Sequence, residues 1–383
     1  MRRAKAKAMP QTGASSGGGS SEKALRVLHI VDREHFRRFG RMFRELGLAL
    51  DDVGVRVSLA TDDAEAAAEF EGTPVTAHLI PGLSGWRRWR IGGALEAART
   101  GEPANVHLWG ARSLAGVSRW AASQGASLVV HLTSEHDVQL LLRRTPAEHE
   151  QPVVCCQRHA EDLAQRWPTL TQSTPVCPPA LLCAPELPES SVRDHVLGVL
   201  WTGVLDAASG VDLLIDALAE MSRQGFEAQL VLIGGGPAAH DVWRRVRRRG
   251  VQDCVSMTDG GRLWEHSIAG ADVFVLPARH TVFSLPPLLA MSLGKVVIAE
   301  ETQIADWLIA GETFVPFAPG AADELAARLI DAAQAKPAVR AIARSAAEYV
   351  RAHHGVSRMA ASLHDVYRVR VSERRGASTG SER

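Results

Sequence analysis

The sequence predicts an α/β protein with two doubly wound, parallel-sheet domains in tandem. Three observations carry this. Short runs rich in Val, Ile and Leu alternate with amphipathic stretches of about ten to eighteen residues. The short runs are continuously apolar, as strands covered on both faces must be. The alternation breaks once, at a stretch holding Pro175, Pro178, Pro179, Pro185 and Pro188, and then restarts. A chain of 383 residues accommodates two domains at about 150 residues each.

Residues 1–23 are basic, then Gly/Ser-rich, with no apolar period, and read as a disordered tail. The tail lacks the apolar stretch of a secretory signal. Residues 24–185 form the first Rossmann-like domain. Its strands are expected at 25–31, 55–60, 76–80, 105–108, 128–132 and 153–156. Helices are expected at 34–52, 85–99, 112–124, 136–143 and 158–166. The Pro-rich stretch reads as the interdomain linker. Residues 186–352 form the second domain, with strands at 196–202, 229–233, 255–257, 273–276, 296–299 and 313–315. Its helices are expected at 210–224, 238–249, 262–269, 284–293, 303–309, 321–335 and 337–352. A helix within 353–371 follows, and 372–383 read as a second disordered tail. Folds of this class bind ligands outside the carboxyl ends of their strands, so two such domains imply a cleft between them.

Composition narrows the function. Lys+Arg and Asp+Glu both number 43, giving zero net charge, which argues against a nucleic-acid partner. No apolar run approaches the roughly 18 residues that span a bilayer. Five cysteines, at 155, 156, 177, 183 and 254, show no C-x-x-C spacing. They read as reduced thiols of a cytoplasmic protein, not as a disulfide framework or a metal site. Trp86–Arg90 and the basic tail allow weak, salt-sensitive contact with a membrane surface. The i,i+3 spacing of Trp86 and Trp89 favours packing on the sheet. The arginines at 244, 245 and 247–249 read as a solvated helix face.

Two stretches carry site chemistry. Gly234-Gly235-Gly236-Pro237 follows a strand and precedes a helix, a turn whose backbone amides can approach a phosphate. In 277–297 a strand ends, a loop follows, and a helix is expected to start at Ser284 as N-cap, with Pro286 and Pro287 in its first turn. That helix N-terminus is expected to face the cleft and hold an anion.

Residues 197–335 resemble the nucleotide-sugar-binding domain of the family 4 (group 1) glycosyltransferases. The matching stretches are WTGVL at 201–205, GVDLLIDA at 210–217, LVLIGGGP at 230–237, ADVFVLP at 271–277, FSLP at 283–286 and AMSLG at 290–294. Val106–Gly110 resembles an acceptor-side strand more loosely. The resemblance implies a GT-B-like fold, with two facing Rossmann-type domains and a C-terminal crossover helix. It implies transfer of a glycosyl group, with retention, from a nucleotide-diphospho-sugar to a glycan or lipid-linked acceptor, with no cofactor and no metal. The donor would contact Gly203, Gly234, Gly235, Gly236, Arg279, Thr281, Phe283, Ser284 and Leu285.

The sequence departs from the family pattern at polar positions. The family's Glu-x7-Glu pair falls on Thr281 and Leu289. Its basic pair on the donor diphosphate falls on Val204 and Ser209. Its first-domain His falls on Thr133, with His131 and His136 off register. The Gly-rich turn after the first strand is replaced by Asp32-Arg33-Glu34-His35, bulky enough to crowd the cleft. These departures imply weak or absent donor turnover. They leave a second reading open, a degenerate relative kept as a binding or scaffold protein. Arg279, His280 and Arg262 are the side chains near enough in sequence to supply replacement charge.

Overall fold

A computed structural model describes residues 25–83, 91–97, 105–168, 174–183, 196–259, 264–280 and 282–380. The first unit runs β1 (Leu25–Val31), α1 (Arg33–Asp52), β2 (Val55–Thr61), α2 (Ala64–Ala68), β3 (Thr76–Leu79), α3 (Gly92–Ala97), β4 (Asn105–Trp109), α4 (Leu114–Ser123), β5 (Ser127–Leu132), α5 (Glu135–Leu142), β6 (Glu150–Val154) and α6 (Gln157–Arg166). The second runs β7 (Leu197–Thr202), α7 (Val211–Arg223), β8 (Ala228–Ile233), α8 (Ala239–Arg249), β9 (Val255–Thr258), α9 (Trp264–Gly270), β10 (Val273–Leu276), α10 (Pro286–Ser292), β11 (Val296–Glu300), β12 (Val315–Phe317) and α11 (Ala322–Ala333). Helices α12 (Pro337–His353) and α13 (Val356–Gly380) close the chain.

Each unit holds a six-stranded sheet with every pairing parallel, in the orders β3-β2-β1-β4-β5-β6 and β12-β11-β10-β7-β8-β9. The central strands β4, β5 and β10 are buried at every residue, including the Asn105, His107, Ser127 and His131 that interrupt the apolar runs of β4 and β5. The order reverses between β1 and β4 in one sheet and between β7 and β10 in the other. Crevices form at such reversal points.

The two units share apolar packing. One core cluster joins Phe39, Phe43 and Trp109 of the first to Phe274, Leu288 and Leu289 of the second, with Met359 and Leu363 of α13. Helix α13 crosses back and lies on α1. Its Tyr367 is fully buried against the first sheet. There a polar relay runs through the strands. Trp109 Nε1 donates to His29 Nδ1 (3.3 Å), which leaves the proton on His29 Nε2 facing the Tyr367 oxygen (3.2 Å). The Tyr367 hydroxyl then donates to His107 Nδ1 (2.5 Å). Trp109 packs against both His107 and His131, at ring separations of 4.7 and 4.2 Å, and the two imidazoles stack on each other at 5.4 Å.

Several sequence expectations change. The part of the Pro-rich stretch spanning 174–183 is docked, not free: His131 Nε2 donates to Cys177 O (3.0 Å), His354 Nδ1 to Pro179 O (2.8 Å), and Leu181 N to His354 O (2.9 Å). Two buried imidazoles thus hold its carbonyls, where a linker would leave them to water. No helix forms at 303–309. Gln303 instead bridges His280 N (2.9 Å) and Ala278 O (3.0 Å), and Thr313 Oγ1 donates to Trp307 O (2.6 Å), so side chains compete away the helical pattern. Helix α13 continues to Gly380, past the expected boundary at 371. The tail at 1–23, Trp86–Arg90, Arg262 and Thr281 lie outside the described residues.

Burial drives His29 and His131 down to about 3, with charge repulsion between them adding for His29, and it also lowers His107. In the unfolded chain each takes up a proton near pH 6.5. Between those values the unfolded state binds more protons, so stability is full above about pH 6.5 and falls as pH drops. His29 and His131 alone should remove about 2–3 kcal/mol between pH 7.5 and 5.5. Urea unfolding at the two pH values measures this; equal unfolding free energies would contradict it.

Candidate functional site

The carboxyl-end rim of the second sheet is built from three turns that touch. The turn after β7 packs on the turn after β8: Leu205 N donates to Gly235 O (3.0 Å) and Ala238 N to Leu205 O (2.9 Å). The contact is too close for side chains. A Cβ on Gly234, whose φ is +149°, would lie 1.8 Å from Gly203 O, and one on Gly236 would lie 2.2 Å from Leu205 O. A Cβ on Gly235 meets nothing within 4 Å. Gly234 and Gly236 are therefore required by packing, while Gly235 is the member of the triplet that faces open space. The third turn follows β10. Gly210, in the left-handed region at φ +69°, starts α7 directly against Pro277 and Ala278.

On this rim Val204 is an exposed apolar residue, 64% accessible. Ser209 turns its hydroxyl back to Asp206 O (2.8 Å). Neither supplies a cation.

The start of α10 lacks the expected Ser284 cap. Leu285, not Ser284, is the N-cap, and no side chain caps the helix. Pro286 and Pro287 occupy the first helical positions and carry no N–H, and Leu289 N is spent on Leu285 O (3.0 Å). Leu289 itself is a core residue, 2% exposed. The segment before α10 is extended and bonded to the first domain. Val282 bridges Ser134 in antiparallel fashion, Phe283 N donates to Thr133 O (3.0 Å), and Leu285 N donates to Arg38 O (3.3 Å). Arg279 also turns to the first domain and pairs with Glu135.

The crevice of the first sheet, between β1 and β4, is filled. Asp32 caps α1 through His35 N (2.9 Å) and lies 2.7 Å from His35 Nδ1. His35 Nε2 lies 2.9 Å from Thr133 Oγ1. Thr133 and Ser134 hydroxyls both donate to Asp137 Oδ2, at 3.2 and 2.7 Å, and Asp137 Oδ1 accepts from Ala111 N (2.8 Å). Burial alone would raise both carboxyls, but His35 and Arg38, with the local hydrogen bonds, outweigh it and hold Asp32 and Asp137 below their ordinary range. The ring of His35 lies over Gly110, where a Cβ would stand 2.3 Å from its Cε1. The expected bulky turn thus becomes a closed polar cluster, and Thr133 is one of its members, fully buried. Asp137 was not singled out from sequence, although Ser134-x-x-Asp137 after a strand is a capping signature.

Residues 197–335 match the sequence model of a family described as glycosyl transferases group 1. The chain is 29% identical over 177 residues to an alpha-D-kanosaminyltransferase of Streptomyces kanamyceticus, covering 44% of this chain and 45% of that protein. It is 24% identical over 258 residues to a GDP-mannose-dependent alpha-(1-6)-phosphatidylinositol dimannoside mannosyltransferase of Mycobacterium tuberculosis, covering 61% and 66%. The chain thus spans about half to two thirds of the curated relatives it matches. Among solved structures, Anabaena Alr3699/HepE in complex with UDP and glucose superposes with a TM-score of 0.71 at 15% identity, covering 89% of this chain and 99% of that one. A glycosyltransferase from Rickettsia africae gives 0.69 at 13%, covering 91% and 98%. The fold is GT-B, and residues 197–335 are similar to group 1 glycosyl transferases.

The rim geometry separates the three glycines. Gly234→Ala and Gly236→Ala should each destabilise by about 1–3 kcal/mol through overpacking, whereas Gly235→Ala should stay within about 0.5 kcal/mol of the parent. Chemical denaturation of the three variants checks this; equal effects at all three positions would contradict the assignment of Gly235 to open space.

Proposed function

We propose that the protein binds a nucleotide-diphospho-sugar on the second-domain rim and transfers its glycosyl group, with retention, to an acceptor on the first-domain side. One observation carries this reading: two glycine-bearing turns, after β7 and β8, meet the turn after β10 beside the reversal point of a sheet whose sequence matches a glycosyltransferase family. Amides of such turns are ready-made partners for a diphosphate. In this reading Gly203, Gly234, Gly235 and Gly236 form the donor rim. Phe283, Ser284 and Leu285 join the rim to the first domain, and Arg279 supports that junction.

A second reading, a binding protein with little turnover, is favoured by the same rim. Val204 and Ser209 stand where the family resemblance expects cations. A hydrogen bond to a charged group contributes about 1.5–3 kcal/mol, so two missing contacts weaken the donor by roughly 10²–10⁴. The prolines of α10 withdraw amide donors as well. The donor is therefore expected to bind, weakly, through backbone amides.

Titration of UDP-glucose and GDP-mannose into the purified protein, paired with an assay for released nucleoside diphosphate, separates the readings. The expected result is saturable but weak binding, abolished in Gly235→Asp, whose added carboxylate repels a diphosphate while the open space at that position leaves folding intact. Absence of binding at millimolar donor would contradict both readings. Donor binding unchanged in a folded Gly235→Asp variant would move the site off this rim.

A further inference from the structure

In the sequence of the three rim turns, 203–210, 234–238 and 277–280, Arg279 is the only Lys or Arg. Its backbone belongs to the rim, since it follows Ala278, which packs against Gly210. Gln303 clamps both of its neighbours, accepting from His280 N (2.9 Å) and donating to Ala278 O (3.0 Å). The Arg279 side chain is committed elsewhere. It reaches the first domain and pairs with Glu135, in the first turn of α5. The rim thus carries one permanent cation, and without a ligand that cation serves the opposite domain.

This pair is suited to exchange. The Arg279 and Glu135 side chains are 36% and 30% exposed, and ion pairs in contact with water contribute little. Hydrogen bonds from a guanidinium to a phosphate are about twice as strong as neutral ones. A diphosphate on the rim finds no other Lys or Arg in these turns. Glu135 does not depend on Arg279 in the same way. It sits in the first turn of a helix, where a carboxylate is favoured. It also shares the lining of a cavity of about 570 Å³ between α5 and α6 with Arg158. Because Gln303 fixes the backbone on both sides of Arg279, exchange requires side-chain rotation alone. We infer that Glu135 is a positioning residue of the donor site, acting from the opposite domain. It holds Arg279 off the rim until a donor diphosphate draws the guanidinium across. The inference rests on the proposed donor rim and adds a control on it. Coupling between sites is reciprocal, so a bound donor also removes this tie between the domains.

Removing an acidic group from the first domain should therefore strengthen donor binding on the second. The test is titration of UDP-glucose, followed by microscale thermophoresis, into the full-length parent and four variants. These are Glu135→Gln, Glu135→Ala, Arg279→Gln and the double variant Glu135→Gln/Arg279→Gln. With the pair at ordinary exposed strength, abolishing it raises the fraction of free Arg279, and both Glu135 variants should bind about two- to sixfold tighter than the parent. Arg279→Gln should bind about fivefold or more weaker. Glu135→Gln should change nothing once Arg279 is gone, an outcome that a purely structural role for Glu135 does not produce. Unchanged or weaker binding in both Glu135 variants overturns the inference, as does tightening that persists without Arg279. Either result leaves the donor rim standing. Absence of binding in every protein, the parent included, overturns the rim and the inference together.

Discussion

The Thr133 carbonyl, accepting from Phe283 N, is the contact around which the two domains are arranged. It couples the end of β5 to the strand-like segment before α10, and Val282 and Leu285 extend the same line of pairing to Ser134 and Arg38. Backbone groups so placed cannot be left unpaired in the interior, so the sheets meet carboxyl end to carboxyl end in one register. The side chain of Thr133 is equally committed, to His35 and Asp137. One residue thus ties the first-domain crevice, the capping of α5 and the interdomain junction into one cluster. Removing a member strands several buried polar groups at about 1–3 kcal/mol each.

That junction decides what the second-domain rim can use. Phe283 and Leu285 are buried at the join and Arg279 is drawn to Glu135. The groups left to meet a ligand are the backbone turns after β7 and β8. Their close approach, impossible with a Cβ at Gly234 or Gly236, spends the amides of Gly203, Leu205, Gly234 and Ala238 on protein carbonyls, so in the proposed reading the amides of Gly235 and Gly236 are the ones that meet a donor. In the proposed reading the site is one of geometry more than of charge, so a donor is expected to bind weakly.

The fold was legible because it is written locally. Largely apolar strands, amphipathic helices and a single Pro-rich break gave two parallel sheets, and the family resemblance gave the returning helix. Element ends were less legible where side chains intervene. The stretch 303–309 has helical composition, yet Gln303 and Thr313 form other hydrogen bonds. The expected cap at Ser284 failed because its surroundings are bonded across the junction. Of the site, the glycine turn and the crowding at Asp32–His35 were visible. The partners were not: His35 and Thr133 stand 98 positions apart, and Arg279 and Glu135 stand 144 apart.

Hydrogen–deuterium exchange with and without millimolar UDP-glucose tests the central claim most directly, because it reads backbone amides. The account predicts slowed exchange in segments 203–210 and 234–238, with no change at 286–292, which opens on two prolines and where Leu289 N is already bonded to Leu285 O. Protection centred on 286–292, or on the His35 cluster of the first domain, would contradict it.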